Sequence, residues 1–328
     1  MSLSSFFASY PGMFIVQTCC HSLVALLLAE MAIRVWAIGN PLARQRFSLL
    51  VITLPVLSFP LYQALFPSRG SVSFRINALF DSNRWLTIDL WGAVPLATLL
   101  LAVLAVTTAV FVFQELIPIV KHAGGSAPPS LSPNGADDQL LQRVRTALPG
   151  PLPAVHVVES DEMFLYSNTK GETAVVISSG LVHDLTEDQL KAALVHELAH
   201  IDRNKRPVLM VVFFLRVLMF FNPVVLLEFR RIVQLEEKIC DDAAVAVTGK
   251  PEALAGVLKK FYHMPGGETG KEGNKVDSGE KLIQYSHNLQ IESRINRLGD
   301  DRAGREDGSW YPWVLTLLAV VVLNFFVV

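Results

Sequence analysis

The predominantly apolar stretch from about Met13 to Ile38 limits this chain more than any other feature. As a helix rising 1.5 Å per residue, it is long enough to cross roughly 30 Å of hydrocarbon. No Lys or Arg precedes it, and it exceeds the roughly 7 to 15 residues of a signal-peptide core, so it is expected to stay in the mature protein. Gln17, His21, Glu30 and Arg34 lie within it and are expected to face other helices, with Glu30 and Arg34 paired one turn apart. Further apolar runs cover about Phe47 to Phe66, Leu86 to Val120 and Tyr311 to Val328, and Pro55, Pro60 and Pro95 are expected to kink their helices. With 51% hydrophobic residues in 328, the chain reads as an α-helical multi-pass membrane protein. Its 28 basic and 30 acidic residues nearly cancel, which argues against a nucleic-acid partner and leaves the lipid bilayer as the expected one. Cys19, Cys20 and Cys240 are too few and dispersed for a disulfide framework.

From Lys121 the composition turns polar, through a Gly, Ser and Pro-rich linker at Ala123 to Gly135. Leu152 to Val158 and Thr173 to Ser178 read as strands, because β-branched residues recur between Pro and Gly. Thr186 with Gln189 forms a capping box that opens a helix through about Arg203. An apolar segment over about 207–228 is broken at Asn222-Pro223, which leaves about 15 residues before the break, too short for a straight crossing; a polar helix follows over about Val224 to Val247, and because it must return to the polar domain's side the segment is expected to form a membrane hairpin. Met264 to Lys281 lacks periodicity and reads as a surface loop. No internal repeat is visible. The expected division is three transmembrane helices over 1–120, a linker and the start of the polar domain over 121–151, a small α+β domain with the hairpin over 152–300, and a linker with a last transmembrane helix over 301–328. Arg203, Lys205, Arg206, Arg230, Arg231, Arg302 and Arg305 flank the apolar segments on the polar domain's side, which places that domain on the cytoplasmic face of a plasma (inner) membrane.

The polar domain contains His196-Glu197-Leu198-Ala199-His200. Residues i and i+4 stand about 40° apart around a helix, so both imidazoles can address one ion. Zinc suits two imidazoles and a carboxylate better than magnesium or calcium does. In such sites the glutamate between the histidines takes a proton from water and returns it to the leaving amine, which casts Glu197 as general base. The pattern arises by chance on the order of once in a hundred chains this long, so its context matters. Leu190, Ala193, Leu194 and Ile201 form an apolar flank that would bury the helix. A third ligand is needed, and the run Glu236-Glu237-Lys238-Ile239-Cys240-Asp241-Asp242 offers Glu237, with Asp241 one turn on to orient a ligating histidine. Glu236 has no carboxylate four residues on and is expected on the helix surface. Cys240 reads as a small buried thiol, with a soft ligand as the alternative.

His196 to His200, the break at Phe221-Asn222-Pro223 and Glu237-Lys-Ile-Cys-Asp241 together resemble the membrane gluzincin metallopeptidases that include the antibiotic-sensing BlaR/MecR transducers. Ile177 to Leu181 and Leu185 to Leu190 also resemble these and the related HtpX and CAAX-processing proteases. The resemblance covers about Leu152 to Leu298. It implies a zincin fold, one Zn2+ per chain, a catalytic domain at the cytoplasmic membrane face, and a protein or peptide substrate such as a repressor or a damaged membrane protein. It also implies that the strand Ala174 to Ile177 is a sheet edge that pairs with extended substrate. The sensor transducers continue past their last membrane helix into a ligand-binding domain, whereas this sequence stops at Val328, so no built-in penicillin sensor is expected. The HtpX-like group carries His-Pro and then Arg-Ile near the domain's end, whereas here His287 precedes Asn288, with Arg294-Ile295 beyond. His287 is a candidate oxyanion stabiliser or a solvated loop histidine. The competing function is an inactive membrane scaffold or transporter with structural His and Glu residues.

Overall fold

The computed structural model describes residues 6–7, 9–90, 92, 94–117, 138–147, 153–168, 173–204, 208–263, 290–299 and 310–328. The expected linker over 123–135, the loop over 264–281 and the candidate His287 lie outside them, as do Lys205, Arg206, Arg302 and Arg305. The chain is mostly helical and divides into two units, one drawn from Met1–Gly125, Val208–Leu235 and Glu306–Val328, the other from Ser126–Pro207 and Glu236–Arg305.

In the first unit, α1 (Tyr10–Val35) and α2 (Pro41–Leu65) each open on a side-chain cap and an early proline. The Asn40 side chain accepts from the amides of Leu42 at 2.8 Å and Ala43 at 3.2 Å, satisfying donors that the first helical turn leaves free. Helix α2 runs unbroken through Pro55 and Pro60. The third apolar run departs from expectation, because α3 covers only Leu96–Phe111 and continues as a π-helical turn over Val112–Leu116. Pro95 caps this helix and does not kink it, since a proline at a helix start sacrifices no hydrogen bond. Residues before it form a two-residue ribbon, Asp89–Leu90 against Val94–Pro95. Tyr10–Val35, Pro41–Leu65 and Leu96–Leu116 are long and apolar enough to cross a membrane.

Several charged side chains described in this unit find polar partners, as an apolar setting demands. Glu30 does not pair with Arg34; its partner is Arg231, which also lies 2.9 Å from the buried Glu228, so one guanidinium serves two carboxylates from different helices. Arg216, fully buried, donates to Glu115 Oε1 at 3.3 Å and to the Phe220 carbonyl at 3.1 Å, and its guanidinium lies 4.8 Å from the centre of the Phe111 ring. Arg69 donates to the carbonyls of Phe325 at 2.9 Å, Asn324 at 3.3 Å and Val327 at 2.8 Å, closing the C-terminal end of the last helix, Tyr311–Phe325.

The second unit opens with α4 (Asp138–Ala147) and a three-stranded sheet of β1 (Ala154–Val158), β2 (Leu165–Asn168) and β3 (Ala174–Ser178). Strand order is β1-β3-β2, with β1 parallel and β2 antiparallel to β3; His156 and Tyr166 both stand opposite Val176. This corrects the expected edge at Ala174 to Ile177. Every residue of β3 is buried, as suits a strand paired on both sides, and among the described strands β2 has one neighbour and a free outer edge. After β3 the chain turns at once into α5 (Ser179–Asp184), where the Gly180 amide donates to the Ser160 carbonyl at 3.0 Å.

Helix α6 (Glu187–Asn204) begins at the capping box, with the Thr186 amide on Gln189 Oε1 at 3.2 Å and the Gln189 amide on Thr186 Oγ1 at 3.3 Å. Its flank Leu190, Ala193, Leu194 and Ile201 packs into one cluster with Val155, Val175, Ile177 and Leu181. Each fully buried leucine there contributes about 1.5–3 kcal/mol, so the helix is fixed against the sheet mainly by this face. Helix α7 (Val208–Leu218) and a turn at Asn222 lead into α8 (Pro223–Thr248), capped by Asn222 Oδ1 on the Val224 amide at 3.0 Å. The part of α8 from Glu236 onward belongs to the second unit. There Ala244 packs with Ala192 and Val195 of α6, with Leu254 of α9 (Pro251–His263), and with Ile291 and Leu298 of α10 (290–298).

Candidate metal centre

Helix α6 sets His196 and His200 one turn apart, with ring centroids 4.7 Å apart, and α8 brings Glu237 against them. His196 Nε2 and His200 Nε2 face each other at 3.1 Å, while Glu237 Oε2 lies 3.7 Å from the first and Oε1 3.5 Å from the second. Two donors held about 2.05 Å from one tetrahedral ion stand about 3.3 Å apart, so these three separations bracket the spacing that such an ion requires.

The nitrogens that point away from this gap face other side chains. His196 Nδ1 lies 3.1 Å from Asp241 Oδ1, close in distance though poorly aligned for the ring N–H, and Asp241 is only 1% exposed. His200 Nδ1 lies 3.5 Å from Cys240 Sγ. With both outer nitrogens protonated, two imidazole lone pairs confront each other across the gap beside a carboxylate, an arrangement that a cation relieves.

Electrostatics follow from the same contacts. Burial alone would lower His196, but hydrogen bonding toward Asp241 and Glu237 and the charge of Asp241 outweigh it and raise the imidazole to about 9. Burial and the adjacent His196 hold His200 below its ordinary value. Burial also pushes Asp241 upward, yet His196 and Arg294 bring it down to about 2. Glu237 sits below its usual range for similar reasons, His196 and Arg294 overriding its burial. Burial, with Glu237 next to it, drives the Cys240 thiol to about 12, which keeps it protonated and suits a small buried thiol.

Glu197 lines the same cavity of about 440 Å³ as the two histidines and Glu237. Burial raises its carboxyl above the ordinary value, offset in part by His196 and by hydrogen bonds to Ser167. Leu165, Tyr166 and Ser167 of β2 form one wall of that cavity, and Leu254, Val257 and Leu258 of α9 form an apolar one.

Two features escaped the sequence reading. Glu236 is not a surface residue: Arg203 Nη2 donates to its Oε1 at 2.7 Å, Arg203 Nε meets Oε2, and its side chain is 8% exposed. The helix turn that points Glu237 at the histidines points Glu236 about 100° away, toward α6 and Arg203. Arg294 of α10 reaches both Asp241 and Glu237; the pair Arg294-Ile295 stood out in the sequence without a role.

No curated protein matches the chain. A peptidase family of the kind the sequence resembles implies a protein or peptide substrate and suggests a metal, and the cluster of His196, His200 and Glu237 could hold one. Residues 171–253, which hold both histidines, Glu197, Glu237 and Asp241, match the model of the family described as BlaR1 peptidase M56, and this is the BlaR/MecR-type resemblance that the sequence carries.

Proposed function

We propose that this chain is a membrane-bound zinc metalloendopeptidase that cuts a membrane-proximal or cytoplasmic protein, such as a repressor or a damaged membrane protein. One observation carries the reading: the Nε2 atoms of His196 and His200 confront each other at 3.1 Å with Glu237 across from both. His196, His200 and Glu237 would hold the zinc, one per chain, with Asp241 orienting His196. The bound metal supplies Lewis-acid polarisation and a water of lowered pKa. Glu197 would take a proton from the attacking water and deliver it to the leaving amine nitrogen, and the burial that raises its carboxyl above the ordinary value makes it a stronger base for that transfer. An extended substrate lies along the free edge of β2, which carries Leu165 to Ser167 past Glu197 into the cavity, and the α9 wall receives an apolar side chain. Three apolar helices and the basic residues Arg203, Arg230 and Arg231 support a multi-pass inner-membrane protein with its catalytic unit on the cytoplasmic side.

The test is elemental analysis of the full-length chain purified in detergent, with fluorescent casein as an unfolded substrate. Wild type is expected to carry one zinc and to cleave; Glu197→Gln is expected to keep the zinc and lose about 10²–10⁴-fold in cleavage. A metal-replete preparation without zinc, or an unchanged rate in the Gln variant, rejects the assignment.

A further inference from the structure

The stretch that matches the peptidase family ends at residue 253, yet a side chain forty residues further on grips the centre of the site. Arg294 Nε donates to Asp241 Oδ2 at 2.8 Å and Nη2 to Oδ1 at 2.6 Å, a two-pronged fit that only a guanidinium makes. Its remaining arm, Nη1, donates to Glu237 Oε2 at 2.9 Å. The three bonds distribute unequally over the two carboxylates. Asp241 has both oxygens held, whereas Glu237 has Oε2 held and Oε1 without that donor, 3.5 Å from His200 Nε2.

Helix α10 is anchored to make this possible. Ile291 and Leu298 bury into the cluster with Leu254 and Ala244, and Arg297 Nη2 donates to Asp242 Oδ2 at 2.7 Å, one residue past Asp241. Glu237 and Asp241 are like charges one turn apart on α8, a pairing that repels unless a cation lies between them. A carboxylate as buried as Asp241 also needs a charged partner, and Arg294 supplies a permanent one.

We propose that Arg294 is a positioning residue: it occupies Glu237 Oε2 and both oxygens of Asp241, so that Glu237 meets the metal through Oε1 alone and a coordination position stays open for water. By the same contacts α10 belongs to the working peptidase unit, beyond the stretch that the family model covers. The proposal rests on the metallopeptidase reading above. A carboxylate freed from Arg294 is able to turn both oxygens to the ion and fill the open position, which is the difference between a catalytic and a closed site.

Cobalt(II) reports this directly, because its d–d bands weaken as coordination rises from four to five. The full chain in detergent is titrated with Co2+, and the wild type, Arg294→Gln and Arg294→Lys are compared by affinity and visible spectrum, with thermal unfolding alongside. Arg294→Gln is expected to bind Co2+ with weaker bands, and added guanidinium ion at low concentration is expected to restore them. Arg294→Lys keeps the charge beside Asp241 but lacks the fork, so it is expected to stay folded while its bands weaken; this variant decides the matter where the Gln variant fails to fold. Wild-type binding with an indifferent Arg294→Lys spectrum overturns the proposal and leaves the metallopeptidase reading standing. A wild-type chain that takes up no Co2+ overturns both.

Discussion

Glu236 and Glu237 are adjacent in sequence and opposite in expected consequence. Glu237→Gln replaces an anionic donor with a neutral amide, so zinc retention is expected to fall sharply, as dialysis against a chelator followed by metal analysis would show. Glu236→Gln is expected to leave the metal in place but to destabilise the fold by about 3 kcal/mol, because Arg203 is left half-matched in a buried pair; a lower melting temperature with intact zinc checks this. Asp241→Asn weakens the grip on His196 and Arg294 together and is expected to cost about 10 to 100-fold in metal affinity. Helical spacing made the cluster of His196, His200, Glu237 and Asp241 legible, since i and i+4 share a face whatever the tertiary context. That logic says nothing of a partner from another helix. Arg294 stands more than fifty residues after Asp241, and Arg203 faces Glu236 from α6, so neither bond leaves a local pattern to read.

Helix starts were equally legible, because caps are local chemistry. The Thr186–Gln189 box and the Asn222-Pro223 break mark the first turns of α6 and α8. Asn222→Ala removes the cap on Val224 and the 2.9 Å bond to Ser22, and is expected to cost about 1–2 kcal/mol in unfolding free energy measured in detergent. The sheet was harder to read. Strand β2, Leu165 to Asn168, has no β-branched residue and was missed, and strand order is a property of the assembled sheet. One clue existed: Ala174 to Ile177 is apolar without alternation, the mark of a strand covered on both faces and not of an edge. The junction after it is tight. A Cβ on Gly180 would stand 2.9 Å from the Asp161 carbonyl oxygen and 3.0 Å from that of Ser160, both backbone atoms that cannot swing aside. Gly180→Ala is therefore expected to destabilise the second unit by about 1–3 kcal/mol, read from its melting temperature.

For the molecule as a whole, length and hydropathy gave the helices that are able to cross a membrane, whereas orientation rests on a few basic residues. Reporter fusions after Gly125 and after Asp300 are both expected to report the cytoplasm; an external signal from either would reverse the proposed topology. The outer edge of β2, unpaired among the described strands, would have a further consequence for what the proposed enzyme selects. A strand edge offers a row of amides and carbonyls to a partner that is itself extended, and a helix or a paired strand in a folded protein has already spent those groups on its own neighbours. On the proposed function, the cleavage rate of a folded client would follow the fraction of time its cut site lies open, rising about tenfold for each 1.4 kcal/mol by which the client is locally weakened. Clients would thereby be ranked by how readily they come undone, and a ligand that loosens a repressor would mark it for destruction without touching the enzyme.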